Sequence, residues 1–193
     1  MNALPFRILL MILAGVCLPN LASGSSERLD AVRTLTSGGG VLMIRHANAP
    51  GSGDPANFKI GDCTTQRNLD DLGRAQARAI GVFLRRHGIV NVRLYSSQWC
   101  RCLETARLMN LGAVQPLPAL NSFYRRPDDR EPHIAALKAF LAKQPRDGQP
   151  IILVTHYVTI AAMTGDGVSS GEGMVMQLEN GSLKVVGRLD FDP

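Results

Sequence analysis

Val41-Leu42-Met43-Ile44-Arg45-His46 is an apolar run of strand length that ends on a guanidinium and an imidazole. Ile151-Ile152-Leu153-Val154-Thr155-His156 has the same form near the other end of the chain. Between them, Val92-Arg93-Leu94-Tyr95 leads towards Arg101, which opens a helical stretch. Continuous bulky runs mark strands buried on both faces, as in a parallel sheet. In an open parallel sheet, the carboxyl ends of the strands converge on one edge and form a site there. Arg45, His46, Arg101 and His156 would then share a cationic pocket. Guanidinium forks match phosphoryl oxygens in charge and geometry, and a neutral imidazole can accept a phosphoryl group.

Outward from these strands the chain alternates between the two periodicities. A short helix is expected over 25–36, stopped by Gly38-Gly39-Gly40. The stretch 47–61 is a loop rich in Gly, Pro, Ser and Asn, long enough to shape a site. A helix follows over 71–87, with Leu72, Gln76, Ala79, Ile80 and Phe83 as its inner face. Asn68-Leu69-Asp70 offers its cap and Gly88 its stop. Strand 92–95, helix 101–109 and a short strand over 113–117 come next, the last pushed to an edge by Pro116 and Pro118. Residues 121–132 read as a loop or lid. Residues 133–143 form a helix with Ile134, Leu137 and Leu141 facing inwards. Strand 151–155 and helix 157–164 follow. Strands 174–178 and 183–189 flank Glu179-Asn180-Gly181-Ser182, whose Asn-Gly pair signals a hairpin. This order predicts a three-layer α/β/α sandwich with a mostly parallel central sheet.

The chain has 193 residues, enough for one domain with a real core. Residues 1–24 read as a secretory signal peptide, leaving a single domain over 25–193. A polar start is followed by the apolar run from Ile8 to Leu18 and by small residues at Ala22-Ser23-Gly24. An uncleaved anchor and a lipidated Cys17 are the alternatives. The expected location is periplasmic or secreted, without stable membrane insertion after cleavage. Three cysteines then remain, Cys63, Cys100 and Cys102. A bridge from Cys63 to one of the pair flanking Arg101 would tie the long loop to the site. Cys63–Cys100 is the expected pairing, and three reduced cysteines the alternative. The formal charge is +5, and +4 once Arg7 leaves with the leader. That mild excess suits an anionic substrate. Without a long basic block, and with 5% aromatic residues, nucleic acid is not an expected partner.

Other arrangements carry less. Gly38-Gly39-Gly40 precedes a strand, so it is no dinucleotide fingerprint. Gly51-Ser52-Gly53-Asp54 lacks the ending of a phosphate loop. Cys100-Arg101-Cys102 has the wrong spacing for a zinc knuckle, so no metal and no cofactor are expected. Met174 and Met176 are read as core.

The blocks Met43-Ile44-Arg45-His46-Ala47, Asn68 to Ala77, Tyr95 to Ala106 and Val154-Thr155-His156 together resemble the histidine phosphatase superfamily, which includes the cofactor-dependent phosphoglycerate mutases. The resemblance implies the phosphoglycerate mutase-like form of the sandwich. It implies His46 as nucleophile, with Arg45, Arg101 and His156 as its phosphate pocket. Two departures stand out. Ala47 replaces a glycine. Leu120-Asn121-Ser122 stands where the mutase pattern has Leu-Asn-Glu, whose glutamate is the general acid. Asp128, Asp129, Glu131 and Glu172 are candidates for that acid. Glu172 is preferred, because Ser170-Gly171-Glu172-Gly173 lies just before a strand. The blocks Gly61 to Arg67 and Trp99-Cys100-Arg101 are similar to exported members, including lipopolysaccharide core heptose phosphatases. Asn57, Lys59 and Arg67 are expected to line the entrance. The resulting expectation is a periplasmic phosphomonoesterase acting through phospho-His46 on a small or glycan-linked phosphate ester. The alternatives are a protein phosphohistidine phosphatase and a non-catalytic anion- or glycan-binding domain.

Overall fold

The computed structural model describes residues 22–145, 148–179 and 182–191. Most of the expected leader, with Cys17, lies outside them. The elements run α1 (Ala22–Ser37), β1 (Gly40–Arg45), α2 (Asp71–Arg86), β2 (Arg93–Ser96), α3 (Cys100–Met109), β3 (Val114–Pro116), α4 (Arg130–Ala142), β4 (Ile151–Thr155), α5 (Tyr157–Thr164), β5 (Gly173–Glu179) and β6 (Ser182–Leu189). The described strands form one sheet in the order β3-β2-β4-β1-β5-β6. The four strands from β3 to β1 are parallel, and β5 and β6 add antiparallel on the far side. Pro116 lies in β3 at the sheet edge, where a missing N–H costs no ladder bond. Glu179 pairs with Ser182 across the expected hairpin, whose Asn180 and Gly181 lie outside the described residues.

Side-chain alternation along the central strands divides the core in two. Leu42, Ile44, Ile152 and Val154 point to one face, against Ala31 and Leu35 of α1, Ile80 and Leu84 of α2, and Ala106 and Met109 of α3. Val41, Met43, Ile151 and Leu153 point to the other, against Leu137 and Leu141 of α4 and Ile160 of α5. Met174 and Met176 join that second core, as expected. The architecture is the three-layer α/β/α sandwich with a largely parallel sheet.

Two local readings change. The segment before α4 is partly ordered as single turns at Pro118–Leu120 and Pro127–Asp129, and α4 begins at Arg130. Pro132 therefore lies in the first helical turn, where its missing N–H has no helical acceptor to satisfy. In α2 the inner face is rotated. Leu72 is 68% exposed, whereas Gly73, Ala77, Ile80, Gly81 and Leu84 are buried. Close approach of backbone selects that stripe. A Cβ on Gly73 would meet the Asn48 carbonyl oxygen at 2.0 Å, and one on Gly81 would meet that of Met109 at 1.9 Å. Hydrophobic periodicity does not register glycine as an inner residue, so the pattern finds Ile80 and Phe83 but wrongly includes the exposed Leu72 and Ala79.

Two effects oppose each other at Gly81. Alanine is favoured over glycine in a helix by about 1 kcal/mol. The clash is with backbone, which cannot swing aside, and overpacking of this kind costs about 1–3 kcal/mol or more. Gly81→Ala is therefore expected to lower the unfolding free energy by about 2 kcal/mol in urea titration. A stabilised variant would show that α2 and α3 do not cross this closely.

Candidate active site

The parallel register brings the sequence fragments together. Arg45 pairs with Thr155, and Ser96 with Val154, so β1, β4 and β2 end side by side. The ladder continues one residue further. His46 N donates to Thr155 O at 3.0 Å, and Ser97 N donates to Val154 O at 2.9 Å. His46 and His156 leave adjacent strands with ring centroids 5.6 Å apart. Arg101, in the first turn of α3, lies on the same side. All four line one cavity of about 650 Å³.

His46 is 2% exposed, and its Nδ1 lies 2.8 Å from Ala47 O. A carbonyl only accepts, so Nδ1 carries the proton and Nε2 keeps its lone pair. Burial, reinforced by the Arg101 and Arg45 charges, lowers its pKa to about 3. The neutral, nucleophilic form is thus held at ordinary pH. His156 is pushed well below its usual value, by burial first and then by the neighbouring His46 and arginines. Its Nε2 lies 2.9 Å from Ser97 Oγ, which is also 3.2 Å from Asn121 Oδ1. That hydroxyl can turn to donate or accept, so His156 can relocate its proton without losing a partner. Cys102 is buried beside it, 3.5 Å from Nε2. Burial pushes this thiol up to about 12, which keeps it protonated.

The guanidiniums are held from outside the strands. Arg101 sets both terminal nitrogens on Asp54, at 2.7 and 3.2 Å. Asp54 also accepts from Trp99 Nε1 and from the backbone N–H of Arg67. Desolvation raises the Asp54 pKa, but its bonds and attraction to Arg101 outweigh that, and the net shift is downward. Arg45 donates to Val168 O at 3.1 Å. The Nε atoms of Arg45 and Arg101 are buried without a partner among the described residues. Orphaned charged donors on two arginines lining one cavity fit an anion with several acceptor oxygens.

The remaining expected residues are placed as follows. Arg67 lines the cavity, but its Nε donates to Gly53 O and an Nη to Ala49 O, so it braces the loop. Asn57 and Lys59 are exposed and do not line the cavity. Glu172 does not line it either. Its carboxylate accepts from Ser169 N and Arg188 Nη1, while its backbone oxygen accepts from Arg45 N. Cys63 and Cys100 are bridged. Next to the bridge, Gln66 Oε1 accepts from Cys100 N, which also fastens the loop to α3. Asp54 is the functional residue that motif reading missed. It lies 47 positions before its partner, in a glycine-rich segment that matched no phosphate loop. The available signal was physical: a buried arginine needs a counter-charge.

Residues 41–123 match the family model described as the histidine phosphatase superfamily (branch 1). No curated protein matches the chain. Among solved structures, the protein histidine phosphatase SixA complexed with tungstate is 17% identical, covers 79% of this chain and 97% of its own, and has a TM-score of 0.55. A proposed alpha-ribazole-5'-P phosphatase from Escherichia coli is 18% identical over 77% of this chain and 95% of its own, with a TM-score of 0.53. TTHB049 from Thermus thermophilus is 17% identical over 78% and 99%, with a TM-score of 0.55. At these identities the likeness is one of fold. Fold and site define a phosphoryl-handling α/β/α domain. The family match covers the part of the chain that carries Arg45, His46 and Arg101, and it supports a phosphatase.

Both lowered pKa values make the fold sensitive to acid. Below about 6.5 the unfolded chain protonates His46 while the folded chain resists down to about 3, so stability falls across that window. Asp54 adds a second loss. Its stabilising charge is fully present above the ordinary carboxylate value and disappears as pH falls through its lower folded value. His46→Asn is therefore expected to flatten the pH 6 to 4 decline in unfolding free energy by about 1.4 kcal/mol per pH unit. Parallel slopes in urea titrations would show that His46 titrates normally in the folded protein. Asp54→Ala strands a buried guanidinium and is expected to cost about 3 kcal/mol at pH 7.

Proposed function

We propose that the protein removes a phosphoryl group from a phosphohistidine or a similar phosphoramidate, through a phospho-His46 intermediate. Arg45 and Arg101 hold the phosphoryl oxygens, and His156 donates to them as charge develops. The His46 Nε2 lone pair forms the new P–N bond as the bond to the leaving atom breaks with its electron pair. Water oxygen then attacks phosphorus, the electron pair returns to Nε2, and the water proton leaves on inorganic phosphate.

The state of the acids in the cavity carries this choice of substrate. Asp54 and Asp129 are the carboxylates that line it among the described residues. Both are in ion pairs at 2.7 Å, with Arg101 and Arg126. Ser122 lies on the wall beside Asn121, where the mutase pattern would put the acid. An alkoxide cannot leave easily without a proton. A phosphoimidazole protonated on its far nitrogen leaves as neutral imidazole and needs no enzymatic acid. The fold likeness to the protein histidine phosphatase SixA supports the same reading.

The Cys63–Cys100 bridge supports the expected location outside the cytoplasm, since disulfides persist there. It also favours a second reading, an exported phosphatase acting on a glycan-linked or small phosphomonoester. Among the described residues, no helix is long and apolar enough to cross a membrane, and no cluster of three or more His, Cys, Asp or Glu could hold a metal ion.

The oxidised chain lacking residues 1–24 would be assayed for phosphate release in EDTA. Phosphohistidine, phosphoramidate, p-nitrophenyl phosphate and glycerol phosphate are the substrates, with His46→Ala in parallel. Turnover of the first three is expected to exceed that of the alkyl ester by about 100-fold, the usual worth of a missing general acid. All of it should vanish in the variant. Comparable turnover of glycerol phosphate would overturn the phosphoramidate reading in favour of the phosphomonoester. Phosphate binding without turnover would point to a binding domain.

A further inference from the structure

The cavity is far larger than a phosphoryl group, and its outer wall has a character of its own. Five arginines line it against two aspartates. Arg101 is paired with Asp54, and Arg126 with Asp129. Arg125 has no carboxylate partner among the described residues. Its guanidinium lies over Gly53, within 3.7 Å of where a Cβ would stand, and donates to Pro55 O at 3.4 Å. It therefore rests on the same short loop that delivers Asp54 to Arg101. Three large exposed apolar or aromatic side chains line the same cavity: Ile60 at 49%, Tyr124 at 65% and Tyr157 at 50%. Elsewhere on the described surface such residues are scattered, and single ones need no explanation. Their concentration with an unpaired cation at one mouth does.

We infer that Arg125 forms a second anion subsite, so that the substrate carries another negative group on an apolar or flat leaving part. This rests on the phosphoryl-pocket reading above and specifies the rest of the molecule. A phosphate dianion answers the inner arginines and leaves Arg125 unanswered. A carboxylate or second phosphate would meet it across the Tyr124 and Ile60 surface. An unbranched alkyl phosphate would make neither contact. Gly53 supplies the positive φ of +67° that the loop takes beneath the guanidinium.

Calorimetric titration of the oxidised protein with phenylphosphonate and 4-phosphonobenzoate tests this without turnover, since neither probe has a scissile ester. The carboxylate-bearing probe is expected to bind about tenfold tighter, the worth of one charge-assisted contact. Arg125→Ala should bring the ratio to about one. Arg86→Ala, which removes the same charge from an exposed helix end outside the cavity, should leave it unchanged. Equal affinities in the wild type would overturn the second subsite and leave the phosphoryl pocket standing. So would an equal fall of the ratio in both variants, which would mean that only overall charge matters. If neither probe binds, the phosphoryl pocket itself fails and the subsite with it.

Discussion

The site depends on how a buried guanidinium is held. Arg101 is 3% exposed at the start of α3, and a charge so placed is tolerated only when paired and hydrogen-bonded. Asp54 supplies the pairing through both carboxylate oxygens, from a loop with no regular structure of its own. The partner therefore does two jobs. It offsets desolvation, and by occupying both terminal nitrogens it fixes the plane of the guanidinium and leaves Nε as the orphaned donor. The same loop also holds Arg67, whose bonds to Gly53 and Ala49 brace its backbone. Arginine–carboxylate geometry thus reaches from the chemistry into the loop's shape.

Such a loop needs fastening, and the bridge provides it. Cys63–Cys100 closes a segment of 37 residues. In the chain-entropy picture, that removes roughly 4 kcal/mol of unfolded-state freedom. Its position matters as much as its magnitude. Cys100 immediately precedes Arg101, and Gln66, bonded to Cys100 N, immediately precedes Arg67. The covalent link and this hydrogen bond therefore join the two segments that must stay in register for Asp54 to meet Arg101.

What could be read from the chain divides along physical lines. Strand identity was legible because a parallel sheet buried on both faces demands continuous bulk, and Val41 to Ile44 and Ile151 to Val154 supply it. The convergence of Arg45, His46, Arg101 and His156 followed, since parallel strands end on one edge. Contacts set by close backbone approach were not legible. Gly73 and Gly81 face inwards because there is no room for a side chain, and no hydrophobic pattern reports that. Asp54 was hidden for a related reason: its function comes from a partner far along the chain. Glu172 shows the converse error. Proximity to a strand start suggested a site residue, but its carboxylate is turned to Arg188 and only its backbone oxygen reaches Arg45.

The burial that keeps the His46 imidazole neutral also limits what it can do alone. An imidazole held neutral by desolvation and by nearby guanidiniums attacks readily, but it offers no proton to the leaving group in that state. His156 is under the same pressure. Binding a dianion reverses part of it, because the phosphoryl charge opposes the arginine field that depresses both rings. The two imidazoles are thus neutral in the empty pocket and better able to hold a proton when it is occupied. In that state His156 can donate to the equatorial oxygens while Ser97 takes up the bond on its other side. Protonation of the leaving atom lies outside this cycle. The chemistry of the leaving group, more than the strength of the nucleophile, therefore decides which phosphorylated compounds such a site can open.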